Sequence, residues 1–199
     1  MKKGLFTLLL VGLLHGNAYA AAPETAKLAI DQLHAATTAE LQVHSTTFEH
    51  QQPIPEDNSS YGKSISPQLA WSKGPAGTQS YALLLEDEDG IRDDKPIVHW
   101  VAYAIPAAVT ELPAGLASDA TLTAPVTLLQ GLTIRGTPGY VGPRPRVGDG
   151  PHRYHFQVFA LDNLPTLPAG ATREALLQAI DGHVLAKGKL TGTYTPAAL

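Results

Sequence analysis

The chain has 199 residues, with 14 Lys and Arg against 18 Asp and Glu, a formal charge of −4, and no cysteine. Mild acidity without a basic run argues against nucleic acid or an anionic membrane surface as the main partner. The missing cysteines exclude a disulfide-held scaffold, so a chain of this size, free of internal repeats, is expected to be one domain held by its hydrophobic core.

In chain order, Lys2 and Lys3 precede an apolar run over residues 5–14, and Ala18-Tyr19-Ala20 gives a small-x-small exit. That order predicts a secretory signal peptide over residues 1–20, cleaved after Ala20, and a periplasmic or secreted protein of charge −6 once the two lysines are gone. The run is shorter than the about 20 residues a membrane-spanning helix needs, so no stable membrane insertion is expected. Residues 21–38 form an N-terminal extension. Within it, residues 24–38 are either a short helix, with Leu28, Ile30, Leu33 and His34 roughly on one side, or a mobile tail. Residues 39–199 form the single domain.

"LQVHSTTF" (41–48) reads as a strand and "IPEDNSSYGKSISPQLAW" (54–71) as a long polar loop rich in turn formers. "SYALLLED" (80–87) and "PIVHWVAYAI" (96–105) are strands dense in apolar and aromatic residues. "TLTAPVTLL" (121–129) is a weak strand or a loop, and residues 136–150 are a Pro/Gly loop. The strand after it alternates His152, Tyr154, Phe156, Val158 and Ala160 against Arg153, His155, Gln157, Phe159 and Leu161. "ATREALLQAI" (171–180) predicts a helix with Thr172 as N-cap, Glu174 in its first turn and Gly182 beyond its end. "HVLAKGKLTGTY" (183–194) is the last strand. Strands without regular intervening helices predict a mainly β, largely antiparallel architecture with peripheral helices, in which Trp100 and Phe156 are buried.

Three polar clusters fall at strand ends: Glu86–Gly90 ("EDEDG"), His99 beside Trp100, and the Pro/Gly loop that delivers His152 and Tyr154. An acid beside a histidine fixes its tautomer and favours the imidazolium. A second histidine and a tyrosine hydroxyl add donors, and a Pro/Gly loop can aim backbone N–H groups at an anion. The set predicts a pocket for phosphate, sulfate or carboxylate, without the nucleophile elbow or cysteine of a covalent catalyst. The alternative is a metal-assisted hydrolase holding its ion with Asp87, Asp89, His99 and His152, although no His-Glu-x-x-His spacing occurs.

The segments "ISPQLAWSKGPAGTQSYALLLEDEDG", "VHWVAYAIP", "GYVGPRPRVGDGPHRYHFQVFALD" and "LPAGATREALLQAIDGHVLAKGKLTGTY" resemble the phosphatidylethanolamine-binding protein family, nearest to its bacterial, Raf-kinase-inhibitor-like branch. The likeness runs over about residues 40–195. It implies an antiparallel β-sandwich with a small anion pocket at one end, a binding protein rather than an enzyme, no cofactor or metal, and a small phosphorylated ligand, with modulation of a protein partner as a further family role. The family's Asp-Pro-Asp-Ala-Pro motif falls on residues 87–91, which makes Asp87 the pocket aspartate and His99 the first pocket histidine. Its Gly/Pro…His-Arg-Tyr segment falls on residues 142–154, which brings in Gly142, Pro143, His152 and Tyr154. By this likeness Asp87 is expected to hold His99 and raise its pKa. Two departures stand out. Glu88 and Ile91 replace both prolines of the first motif, which would set an extra carboxylate near the pocket. Arg146 replaces a proline of the second motif, with Arg144 nearby, and the two arginines could serve as an anion rim.

Overall fold

The computed structural model describes residues 27–197, so the expected signal peptide lies outside the described residues. The chain runs α1 (Ala29–Gln32), β1 (Val43–His44), β2 (Leu69–Trp71), β3 (Ser80–Arg92), β4 (Lys95–Pro106), β5 (Glu111–Leu112), β6 (Thr121–Leu122), β7 (Leu128–Gln130), β8 (His152–Leu161), α2 (Arg173–Ile180) and β9 (Val184–Tyr194). Six strands form one sheet in the order β6-β7-β4-β3-β8-β9, and β1-β2-β5 form a second. All strand pairs within the two sheets are antiparallel.

The long central strands carry little polar alternation because both of their faces are buried. Tyr81, Leu83, Leu85, Trp100, Phe156 and Val158 pack on one side against Leu69, Trp71 and Leu112 of the small sheet. Ala82, Leu84, Val101, Tyr103, Phe159 and Leu161 pack on the other against α2 and the N-terminal segment. The near-continuous apolar run of β3 follows directly, since a strand covered on both sides has no solvent face to make polar. Trp100 and Phe156 are fully buried, as their strands predict.

Several elements differ from the sequence reading. Of residues 41–48, only Val43–His44 pair as a strand. The polar stretch 54–71 contains a short 3-10 turn (Glu56–Asn58) and ends in β2. Residues 121–129 resolve into two short strands, β6 and the start of β7. "EDEDG" does not mark the end of its strand. β3 continues to Arg92, and the turn is the pair Asp93-Asp94, both at positive φ (52° and 58°), as a two-residue hairpin requires.

Residues 27–33 are docked rather than loose. Leu28, Ala29, Ile30 and Leu33 are buried, while His34 is exposed. Ala29 N–H donates to Glu86 Oε2 (2.8 Å) and Ile30 N–H to Gln157 Oε1 (2.7 Å). Arg173 pairs with Glu86 inside the protein and donates to the Lys27 carbonyl (3.0 Å). α2 begins as expected, with Thr172 Oγ1 accepting from Ala175 N–H (3.2 Å).

Candidate functional site

A disruption in β3 builds the floor of a cavity at one end of the sheet. Opposite β4, Asp87 pairs with Ile97 and Ile91 with Pro96, so Glu88, Asp89 and Gly90 have no partners there. Such a bulge bends the strand and re-aims its side chains. Asp87 stabilises it with its own carboxylate, whose Oδ1 accepts from Asp89 N–H (3.0 Å) and Gly90 N–H (2.9 Å). Gly90 has to be small, because a Cβ there would sit 2.8 Å from both Asp87 Oδ2 and Ile97 Cδ1.

The same carboxylate receives His152. Its Nδ1 lies 2.9 Å from Asp87 Oδ2 and 3.2 Å from Oδ1. A carboxylate accepts only, so Nδ1 carries the hydrogen and Nε2 is left for the cavity. His99, in β4, is oriented differently. Its Nδ1–H donates to the Val141 carbonyl at 2.7 Å. This corrects the expectation that Asp87 holds His99: the aspartate positions His152, and the Pro/Gly loop positions His99. Nor is the His99 pKa raised. Burial pushes it below the ordinary histidine value, and the Val141 carbonyl and the Asp87 charge oppose that more weakly.

Tyr154 lies beneath both histidines rather than on the cavity wall. Its ring is 5.2 Å from the His99 ring, edge-on, and 6.5 Å from that of His152. Burial, and then the Asp87 charge, push its hydroxyl pKa well above the ordinary tyrosine value, so it stays protonated. His99 Nε2 and Tyr154 Oη are both buried without a hydrogen-bond partner among the described residues. Such groups are uncommon in folded proteins, and each calls for an explanation.

The cavity measures about 800 Å³ and is lined by Asp87, His99, Gly142 and His152. Arg144 and Arg146 also line it, as does Arg135, which the sequence reading missed. The signal for Arg135 was slight, a single cation in the Thr/Gly-rich run "LTIRGTPGY". Pro143 is not part of the lining; its carbonyl accepts from Ser60 N–H (2.9 Å).

That loop is held by the polar stretch 58–64, another contribution absent from the sequence reading. Gly142 N–H donates to Ser64 Oγ (2.7 Å), and the Ser60 hydroxyl donates to the Gly142 carbonyl (2.9 Å). Tyr140 Oη donates to the Asn58 carbonyl (2.7 Å) and Tyr61 Oη to the Pro145 carbonyl (2.6 Å). The approach is so close that a Cβ on Gly142 would lie 2.3 Å from the Asn58 oxygen. Val141 N–H is spent on the His99 carbonyl (2.9 Å). Val141 and Gly142 N–H are thus engaged and Pro143 and Pro145 have none, so these four positions offer the cavity no backbone donor.

The extra carboxylate of Glu88 is not in the cavity either. Strand alternation sends it to the opposite face, where Oε2 meets His155 Nε2 (2.8 Å) and Arg153 (3.0 Å). Asp89, at the cavity edge, is held below the usual carboxylate range chiefly by its hydrogen bonds from Arg153. Among the described residues no group of three or more His, Asp or Glu side chains is arranged to hold a metal ion, so Asp87, Asp89, His99 and His152 do not converge as the hydrolase alternative requires.

Comparison with known proteins agrees with this architecture. The family model described as phosphatidylethanolamine-binding protein matches residues 44–195. A UPF0098 protein of Chlamydia trachomatis is 37% identical over 157 residues, which is 77% of this chain and 98% of that protein. The crystal structure of a phosphatidylethanolamine-binding protein homologue from Chlamydia trachomatis superimposes with a TM-score of 0.71 at 35% identity, covering 79% of this chain and 99% of that one. YbcL of E. coli, described as a member of the mammalian PEBP family, gives a TM-score of 0.73 at 28% identity and covers 80% of this chain and 100% of its own. With the family model spanning most of the chain and the sandwich shared with these structures, the chain belongs to the phosphatidylethanolamine-binding protein family.

Proposed function

We propose that the chain is an exported binding protein whose cavity captures a small oxyanion, a free phosphate or the phosphate of a larger ligand, with no chemistry performed on it. The observation that carries this reading is a buried histidine edge, His99 Nε2, left without a partner among the described residues in a cavity that three arginines also line. Guanidinium groups suit phosphate because their fork of N–H donors matches two of its oxygens. Arg144 is partly positioned already, with its guanidinium carbon 5.8 Å from the centre of the Tyr61 ring. The Asp87–His152 pair supplies a further fixed group at the floor. Export rests on the charged, apolar, small order of residues 1–20.

The hydrolase reading has weaker support, since Asp89 is committed to Arg153 and Asp87 to His152 and its own bulge. Modulation of a protein partner is compatible with the pocket reading, because an acidic or phosphorylated side chain would satisfy the same donors. Calorimetric titration with inorganic phosphate tests the proposal. Saturable one-to-one binding is expected, weakened about 10- to 150-fold in Arg144→Ala or Arg146→Ala if either makes a charge-assisted hydrogen bond. Wild-type protein that binds no phosphate would refute it.

A further inference from the structure

His99 limits what kind of anion the cavity can take. The Val141 carbonyl can only accept, so at 2.7 Å it fixes the hydrogen of the neutral imidazole on Nδ1. Nε2 then presents a lone pair, and it is buried with no partner among the described residues. Opposite a fully deprotonated oxygen, as in sulfate or a phosphodiester, that lone pair is repulsive. Opposite a P–OH group it is an acceptor in want of a donor.

Resting on the anion-binding reading, we propose that the cavity selects a phosphate that still carries a hydrogen, meaning inorganic phosphate or the monoanion of a phosphomonoester, with His99 Nε2 accepting that hydrogen. Sulfate and phosphodiesters, including the phosphodiester of an intact phospholipid head-group, are discriminated against.

The charged and titratable groups around His99 are few. Asp87 faces it from β3, His152 and Tyr154 from β8, and Arg135 and the Val141–Gly142 backbone from the loop. Protonation at Nε2 would turn the acceptor into a donor. Burial opposes that most strongly and the Arg135 charge adds to the opposition, while the Val141 carbonyl and Asp87 favour it. The neutral form therefore prevails near neutral pH, and the imidazolium forms only in acid.

The test is calorimetric titration of the purified protein with four probes near neutral pH: inorganic phosphate, sulfate, phosphoethanolamine and glycerophosphoethanolamine. Phosphate should bind at least about tenfold more tightly than sulfate or the diester, the scale of one mismatched buried hydrogen-bonding group. Affinity for phosphoethanolamine should fall about tenfold per pH unit above its second phosphate pKa of about 6, because only the monoanion carries the hydrogen. His99→Gln, whose amide can donate or accept, should bring phosphate and sulfate to within about twofold of each other. If that variant does not fold, wild-type protein still decides the matter, since sulfate affinity should rise as the pH falls and His99 becomes a donor. Equal binding of phosphate and sulfate by wild type at neutral pH overturns the selectivity and leaves anion binding standing. Failure of all four probes overturns anion binding itself.

Discussion

Replacing Arg173 by methionine isolates the buried ion pair that ties the N-terminal segment to the sheet. Glu86 is fully buried and Arg173 nearly so. The Glu86 carboxylate accepts from Arg173 Nε, Ala29 N–H and Gln157 Nε2. In Arg173→Met the last two donors remain, but they are neutral, and the carboxylate stays in the core without a countercharge. Removing one partner of such a pair costs about 3–5 kcal/mol, a large part of the about 5–15 kcal/mol that holds a typical domain together. The Lys27 carbonyl also loses its bond from Arg173 Nη2 (3.0 Å). Adding Glu86→Gln removes the stranded charge, so the double variant should be more stable than Arg173→Met alone although it carries more changes. Urea denaturation followed by tryptophan fluorescence measures all three proteins. A loss below about 1 kcal/mol in Arg173→Met, or a double variant less stable than the single, would show that the pair does not anchor the segment as argued.

Acid should destabilise the fold through His99 and His155, whose pKa values are both lowered by burial. The unfolded chain protonates first as pH falls past about 6.5, so this stability is present above that pH and is lost below it, at up to about 2.7 kcal/mol per pH unit for the two together. Stability that stays flat between pH 7 and pH 5, measured by chemical denaturation, would contradict that assignment. Trp100→Ala and Phe156→Ala should each cost about 3–5 kcal/mol, with Trp100→Ala toward the upper end because it also strands Gln130 Oε1, now 2.7 Å from the indole N–H. A loss under about 1 kcal/mol for either would place that side chain outside the core. N-terminal sequencing of exported protein should begin at Ala21, and protein still starting at Met1 would remove the export proposal.

The sandwich was legible because the strongest strands, 80–87 and 96–105, are too apolar to be anything but central, and Thr172 and Gly182 bracket α2 correctly. The alternation of β8 was legible as well: Tyr154, Phe156 and Val158 enter one core, Phe159 and Leu161 the other. The extents of short edge strands such as β1 and β6 were not, since two residues carry no period and their pairing is decided by neighbours distant in sequence. The site residues came from the family likeness, but their wiring did not. Whether Asp87 meets His99 or His152 depends on a bulge of three residues, which nothing in "EDEDG" specifies. The partners of Glu86 and Glu88 were hidden because a single sequence does not show that Arg173 and His155 wait on the far face of the sheet. The buttress formed by Ser60, Tyr61 and Ser64 was hidden for the same reason, as its contacts span about eighty residues of chain.

The most direct test of the central claim is a long-range proton–nitrogen spectrum of the histidine rings, recorded near neutral pH with and without inorganic phosphate. His99 should show hydrogen on Nδ1 and a lone pair on Nε2, His152 should show hydrogen on Nδ1, and both should shift saturably with phosphate. The exposed rings of His34, His44 and His183 should not move. Uniform small shifts across all the histidines, or none at His99 and His152, would contradict an anion site at this end of the sandwich.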